Sequence, residues 1–173
     1  EGSIYFCAQT LIKIHPEMDT LFASILAGDE TGWIVLPGGY NPALIRLLQK
    51  RFETTLAPHA DRVLFLPTMS HTDFINVMAL ADVSLDTRPF GGGNTSWQAI
   101  ATATPIVTWP GKYLRGRYTQ ALYRLMGLDD LLCDSADSYV ANAIRIARDR
   151  QVRDDIVRRM EAVAASVFSD MVH

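Results

Sequence analysis

Cysteine is scarce in this chain: Cys7 and Cys133 are the only two among 173 residues. That excludes a disulfide-stapled scaffold, and with no Cys or His at ligand spacing nearby, neither cysteine offers a metal site. One disulfide stays open, but two buried thiols in a reducing compartment is the simpler reading. The four histidines, His15, His59, His71 and His173, are scattered, with no spacing that suggests zinc or a catalytic triad. Basic excess is missing too. A formal net charge of −3 leaves no electrostatic footprint for nucleic acid. The cluster Arg148, Arg150, Arg153, Arg158 and Arg159 is interleaved with Asp149, Asp154 and Asp155, and reads as a solvated helix face. No apolar run is long enough to span a bilayer, and no charged-then-apolar leader opens the chain. A cytoplasmic setting without a membrane partner is therefore expected. Glu1 stands where an initiator Met would, and a strand pattern begins almost at once, which suggests a segment of a longer protein.

What is present fits one ordinary soluble domain: 49% of residues are apolar and 20% charged. Apolar runs alternate with helical patterns along the whole length. Strands are expected at 4–7, 33–36, 63–66, 83–85 and 106–109, with a short sixth at 131–133. Helices are expected at about 16–27, after Asn41-Pro42, after Ser70, at about 96–102 and 118–126, and finally at about 136–149 and 152–166. Asn41 and Ser70 are cap residues, Pro42 suits a first turn, and Gly127 suits a left-handed helix end. His15 before Pro16 serves a helix start. Strands this apolar are buried on both faces, and repeated β–α units mean a parallel sheet with helices on both sides, a Rossmann-like α/β fold. No repeat, low-complexity segment or linker interrupts it, so residues 1–173 form one domain.

The stretch Asp86-Thr-Arg-Pro-Phe-Gly-Gly-Gly-Asn-Thr-Ser-Trp-Gln98 is the most informative feature. A strand empties into three glycines and then into a helix that opens with Asn94, Thr95 and Ser96. Gly92 and Gly93 let backbone approach a ligand closely, and the new helix offers unpaired N–H groups and the positive end of its dipole. A bland reading accompanies this one: Thr95 to Gln98 also fits a capping box, Thr bonding forward and Gln back. In parallel sheets ligands bind beyond the carboxyl ends of the strands, at the switch in strand order. The glycine loop, residues 9–13, 67–71 and 110–117 all follow strands and could converge there. Within them Lys13 could neutralise a diphosphate and Gln9 could hydrogen-bond a base or phosphate, or both could be plain surface residues. His71 is the one histidine placed to reach the crevice. Arg115 and Arg117 could meet phosphate or an acceptor, or simply solvent. Trp97 and Trp109 read as packing residues.

Several of these segments resemble the C-terminal catalytic lobe of the O-GlcNAc transferase/SPINDLY family, glycosyltransferase family 41. They are Ile4-Tyr-Phe-Cys-Ala-Gln-Thr-Leu-Ile-Lys-Ile-His-Pro16, Asp61 to Pro67, Ala81 to Thr87, Phe90-Gly-Gly-Gly-Asn-Thr-Ser96, Thr104 to Gly111, Leu114 to Arg117 and Met126 to Leu128. The likeness covers nearly the whole chain, and the bacterial members look closest. It implies a GT-B architecture, two Rossmann-like lobes facing across a cleft, with this chain as the nucleotide-sugar-binding lobe. The other lobe and the tetratricopeptide repeats that select proteins would lie upstream. Members typically take N-acetylglucosamine from UDP-GlcNAc to Ser or Thr hydroxyls with inversion, without metal or other cofactor. SPINDLY members use GDP-fucose, and a related branch uses UDP-glucose.

By position, the resemblance implies that Lys13 contacts the diphosphate and stabilises the leaving group, and that Asn94 and Thr95 hold phosphate at the helix start. Gln98 stands where members carry an acidic ribose-binding residue, and His71 where they carry a basic residue near the phosphates. Both departures imply weaker or altered nucleotide binding, and Gln9 is only an approximate match. The catalytic base would lie outside this chain, so the segment alone is expected to bind nucleotide weakly and catalyse little. Two other readings stay open: a nucleotide-sugar epimerase with a similar two-lobe cleft, and a non-enzymatic nucleotide-sugar-binding module.

Overall fold

The computed structural model describes residues 2–39 and 41–169; His173 lies outside them. Five strands, β1 (Ile4–Phe6), β2 (Trp33–Pro37), β3 (Val63–Leu66), β4 (Val83–Leu85) and β5 (Ile106–Val107), form one parallel sheet in the order β3-β2-β1-β4-β5. The register aligns Tyr5 with Ile34 on one side and with Val83 on the other. The chain thus winds outward from β1 to β3, returns, and winds outward again through β4 and β5. The reversal falls between β1 and β4. That is where a doubly wound sheet opens a crevice at its carboxyl edge.

Seven helices connect and cover the described sheet: α1 (Glu17–Gly28), α2 (Pro42–Thr55), α3 (His71–Leu80), α4 (Asn94–Ala101), α5 (Tyr118–Leu125), α6 (Ala136–Arg148) and α7 (Arg150–Ser169). α1 packs on α2 and α6, while α3 packs on α4. Neighbouring residues of β1 serve the two faces, as the alternation of a strand requires. Tyr5 donates its hydroxyl to Asp29 at the end of α1, and Phe6 packs at 5.5 Å against Phe74 of α3. The central strands are buried because both faces are covered, with Phe6, Ile34, Leu36, Val83 and Leu85 fully enclosed, whereas the edge strand β3 is only partly covered and leaves Leu64 exposed.

Local chemistry sets the element ends. The Asn41 side chain accepts from the Ala43 and Leu44 N–H groups with Pro42 in the first turn of α2, and Ser70 accepts from Asp73 N–H at the start of α3. Gly127 takes φ +66° just after α5, a conformation that glycine adopts without steric cost. His15 Nδ1 accepts from Glu17 N–H, at the start of α1. Both cysteines are free and buried.

Two expectations fail. Residues 131–133 do not form a sixth strand, because a 3₁₀ turn at Asp129–Leu131 consumes the start of that run. Only an isolated parallel bridge between Thr108 and Leu132 remains. Helix α4 begins at Asn94, where the glycine-loop reading opens it, but its cap is Gly93 with no side-chain bond. The Thr95–Gln98 capping box therefore does not form. Those side chains turn to other partners.

Candidate functional site

A cleft of about 650 Å³ opens at the carboxyl ends of β1, β2 and β4, on the crevice side of the strand-order reversal. Three stretches of chain form its polar part: residues 8–13 after β1, the Gly38–Gly39 turn after β2, and residues 93–95 at the head of α4. Leu44, Phe74, Phe90 and Tyr118 supply apolar wall.

The start of α4 is the chemical centre. Because Gly93 is the cap, the N–H groups of Gly93, Asn94 and Thr95 precede the first intrahelical bonds, which are made by Ser96 and Trp97 to Gly93 O. None of the three donates to a protein acceptor among the described residues. Three unused donors, at the positive end of a helix, face the cleft that their own residues line. Such a cluster suits an anion.

Lys13 stands across from them, at the end of a 3₁₀ turn after β1. Its Nζ donates to Gln9 Oε1 at 3.0 Å and to Gly91 O at 3.0 Å, and lies 4.2 Å from the centroid of the Phe90 ring. An ammonium has three N–H bonds, so one is left for a ligand. Burial pulls the Lys13 pKa down from the ordinary lysine value, against the nearby Asp86 carboxylate, which raises it. Gln9 is 5% exposed, and its amide is engaged at both ends, accepting from Lys13 and donating to Thr95 Oγ1 at 2.6 Å. The end of β1 is thereby tied to the head of α4.

Asp86, at the end of β4, is the residue that sequence reasoning passed over. Its buried carboxylate accepts from Gly92 N–H at 2.6 Å, Thr87 N–H at 3.0 Å, Thr108 Oγ1 at 2.8 Å and Thr119 Oγ1 at 2.7 Å. Burial pushes its pKa up, and the four donors offset only part of that rise. One carboxylate thus fixes the glycine loop to the ends of β4 and β5 and to the start of α5.

Gly92 belongs to the same device. A Cβ there would lie 2.5 Å from Ser96 Oγ, 2.7 Å from Thr95 Oγ1 and 2.9 Å from Gln9 Nε2. The glycine is needed for close packing beneath the cradle, while Gly93 above it has open space. Ser96 is buried and bonds Thr119 rather than facing the cleft.

The remaining predicted residues lie around the rim. His71 opens α3 and lines an adjoining cavity of about 240 Å³, which shares Pro37, Gly39 and Phe74 with the cleft. Its Nε2 is 3.0 Å from Gln98 Nε2, so these two side chains touch each other. An amide nitrogen only donates, so in this arrangement the ring nitrogen accepts. Arg115 and Arg117 do not line the cleft. Arg115 lies over the Tyr113 ring, and Arg117 Nε donates to Gly111 O at 2.7 Å. Residues 67–71 line the adjoining cavity, whereas residues 110–117, expected to converge on the crevice, line neither cavity; the Gly38–Gly39 turn, overlooked in the sequence, lines the cleft directly. That turn follows β2, the direct neighbour of β1. Trp97 packs at 5.5 Å against Phe168, and Trp109 lies under the Arg88 guanidinium. No group of three or more His, Cys, Asp or Glu side chains gathers among the described residues. Nor is any described helix long and apolar enough to cross a membrane.

Known proteins resemble this chain in sequence and fold. The chain is 28% identical over 144 residues to SPINDLY from Solanum lycopersicum, which covers 80% of this chain and 15% of that protein. A mutant O-GlcNAc transferase of Thermobaculum terrenum superposes with a TM-score of 0.87 at 28% identity, over 96% of this chain and 32% of that one. A UDP co-structure of MnaA from S. aureus reaches a TM-score of 0.57 at 17% identity, over 92% and 40% of the two chains, a likeness of fold. The chain therefore spans well under half the length of each of these proteins. The model of glycosyl transferase family 41 matches residues 1–170, and the chain belongs to that family.

Proposed function

We propose that this chain is the donor-binding lobe of a protein O-glycosyltransferase that moves N-acetylglucosamine from UDP-GlcNAc to Ser or Thr hydroxyls with inversion. The observation that carries the reading is the set of unused N–H groups at Gly93, Asn94 and Thr95 opposite the Lys13 ammonium. A nucleoside diphosphate leaving group has the charge and size to bridge them. The names of the family relatives, O-GlcNAc transferase and SPINDLY, agree with it.

In direct displacement the acceptor hydroxyl oxygen bonds the anomeric carbon as the bond to the diphosphate oxygen breaks, and the electron pair leaves with UDP. Lys13 and the free N–H groups oppose that growing charge from fixed positions, which is where electrostatic catalysis is most effective. The hydroxyl proton goes to a base contributed by another part of the protein. No metal is required for this charge balance. The apolar wall of Leu44, Phe74 and Phe90 would shelter the nucleoside.

Titration with UDP, GDP and UDP-GlcNAc tests the reading, with Lys13→Ala and Gly92→Val as variants. Uridine-selective binding that both variants lose is the expected result. Lys13→Ala removes the cation, and Gly92→Val forces Thr95 and Ser96 out of place. A preference for GDP would instead indicate a fucose donor. Failure of the folded full-length protein to bind any of the three would overturn the assignment.

A further inference from the structure

From Thr87 to Leu128 the sequence carries Arg88, Lys112, Arg115, Arg117 and Arg124, and not one Asp or Glu, in a chain whose net charge is −3. Two of these cations have carboxylate partners, Arg88 in Glu17 at 3.9 Å and Arg124 in Asp129. Arg88 also stacks on Trp109 and bonds the carbonyls of Trp109 and Pro110. Lys112, Arg115 and Arg117 are exposed and have no carboxylate partner among the described residues. They sit on the turn after β5 with two apolar side chains between them, Tyr113 at 55% and Leu114 at 71% exposure.

This turn is fastened to the cleft. Gly111 N–H donates to Gly116 O, Arg117 Nε donates to Gly111 O, and Gly91 N–H donates to Arg115 O at 2.9 Å. The carbonyl of the same Gly91 accepts from Lys13. One residue therefore joins the diphosphate-facing lysine to the cationic turn. A Cβ on Gly116 would lie 2.8 Å from Pro89 O, so the turn seats closely against the glycine loop. Yet none of the three cations lines the cleft, where Lys13 is the cation present. Their charge is offered outward, beside the site rather than into it.

We infer that the turn from Lys112 to Arg117 is a docking surface for an acidic stretch of the acceptor polypeptide, next to the residue to be modified. Carboxylates would pair with Lys112 and Arg115, while the apolar flank of the same segment covers Tyr113 and Leu114. The inference rests on the donor-lobe reading for the position of the reacting carbon. The charge complementarity stands apart from it. Electrostatic matching of this kind sets partner choice and weakens as salt rises.

The test uses the full-length protein and two fluorescein-labelled serine peptides, one flanked by glutamates and the other by lysines. At low ionic strength the glutamate peptide is expected to bind about tenfold more tightly, the sum of a few exposed ion pairs. The Lys112→Glu/Arg115→Glu variant should erase that preference, and Lys112→Ala/Arg115→Ala should reduce it. Arg117 is left in place because its bond to Gly111 holds the turn. Equal binding of the two peptides would overturn the inference, as would a preference that survives Lys112→Glu/Arg115→Glu. The first outcome would mean that another part of the protein covers the turn, the second that a different basic surface selects acceptors. UDP titration of the same samples reads the donor site separately. Peptide binding needs no turnover, so loss of UDP binding by the wild type would sink the donor reading and leave the peptide result decisive.

Discussion

Lys13 holds its charge in a place that works against it. Burial lowers its pKa, so in the ligand-free protein the ammonium is lost at a pH below the ordinary lysine value of about 10.4. A diphosphate beside it would reverse the shift, because an opposite charge favours the protonated form. Between the lowered free value and the higher bound value, UDP binding therefore takes up a proton, and affinity falls as pH rises through that window. Calorimetry at alkaline pH, in buffers of different ionisation heat, should detect this uptake, and Lys13→Met should abolish it. Uptake that persists in Lys13→Met would assign the proton to another group. Asp86 acts differently, since four donors surround it and it has no open side toward a ligand. Its role is to hold the glycine loop still. Preorganised donors need not be reordered at the moment of binding.

At the scale of elements, side chains from one unit often secure the end of another. Arg62, just before β3, donates to the carbonyls of Leu26, Asp29 and Gly32, closing the C-terminal end of α1 and the turn into β2. Arg62→Ala would leave these acceptors without their cation, at a cost of about 2–3 kcal/mol. Urea unfolding would measure it, and a change below about 0.5 kcal/mol, the level of ordinary surface substitutions, would mean that water replaces the guanidinium fully. The elements themselves were largely legible. Apolar runs bounded by Pro, Gly and cap residues located all five strands and every helix, because period and punctuation are local properties. Their partners were not legible. Thr95 and Gln98 fit a capping box by spacing, but Gln9 and His71 reach them from 86 and 27 residues away. The apparent strand at residues 131–133 had the right composition and no adjacent strand long enough to pair with. The Gly38–Gly39 turn went unassigned to the cleft for a related reason: which strand ends adjoin depends on sheet order, and a list of strands does not contain it.

For the whole molecule, sheet order decides what the cleft is made of. Lys13 and Gln9 come from the half that builds β1 to β3, whereas Gly91, Asn94 and Thr95 come from the half that builds β4 and β5. The site is a seam between two windings of one chain, and neither half holds both the cation and the helix head. The connection from one half to the other runs through Pro67–Ser70 at the surface, where Pro67, Thr68 and Ser70 are exposed. A nick between Thr68 and Met69 should therefore give two pieces that bind UDP only when combined, with titration of one piece into the other as the measurement. Binding by either piece alone would contradict the seam. Nucleotide affinity, on the proposed reading, doubles as a gauge of assembly: a chain still emerging from the ribosome has no complete cleft until α4 has followed it out.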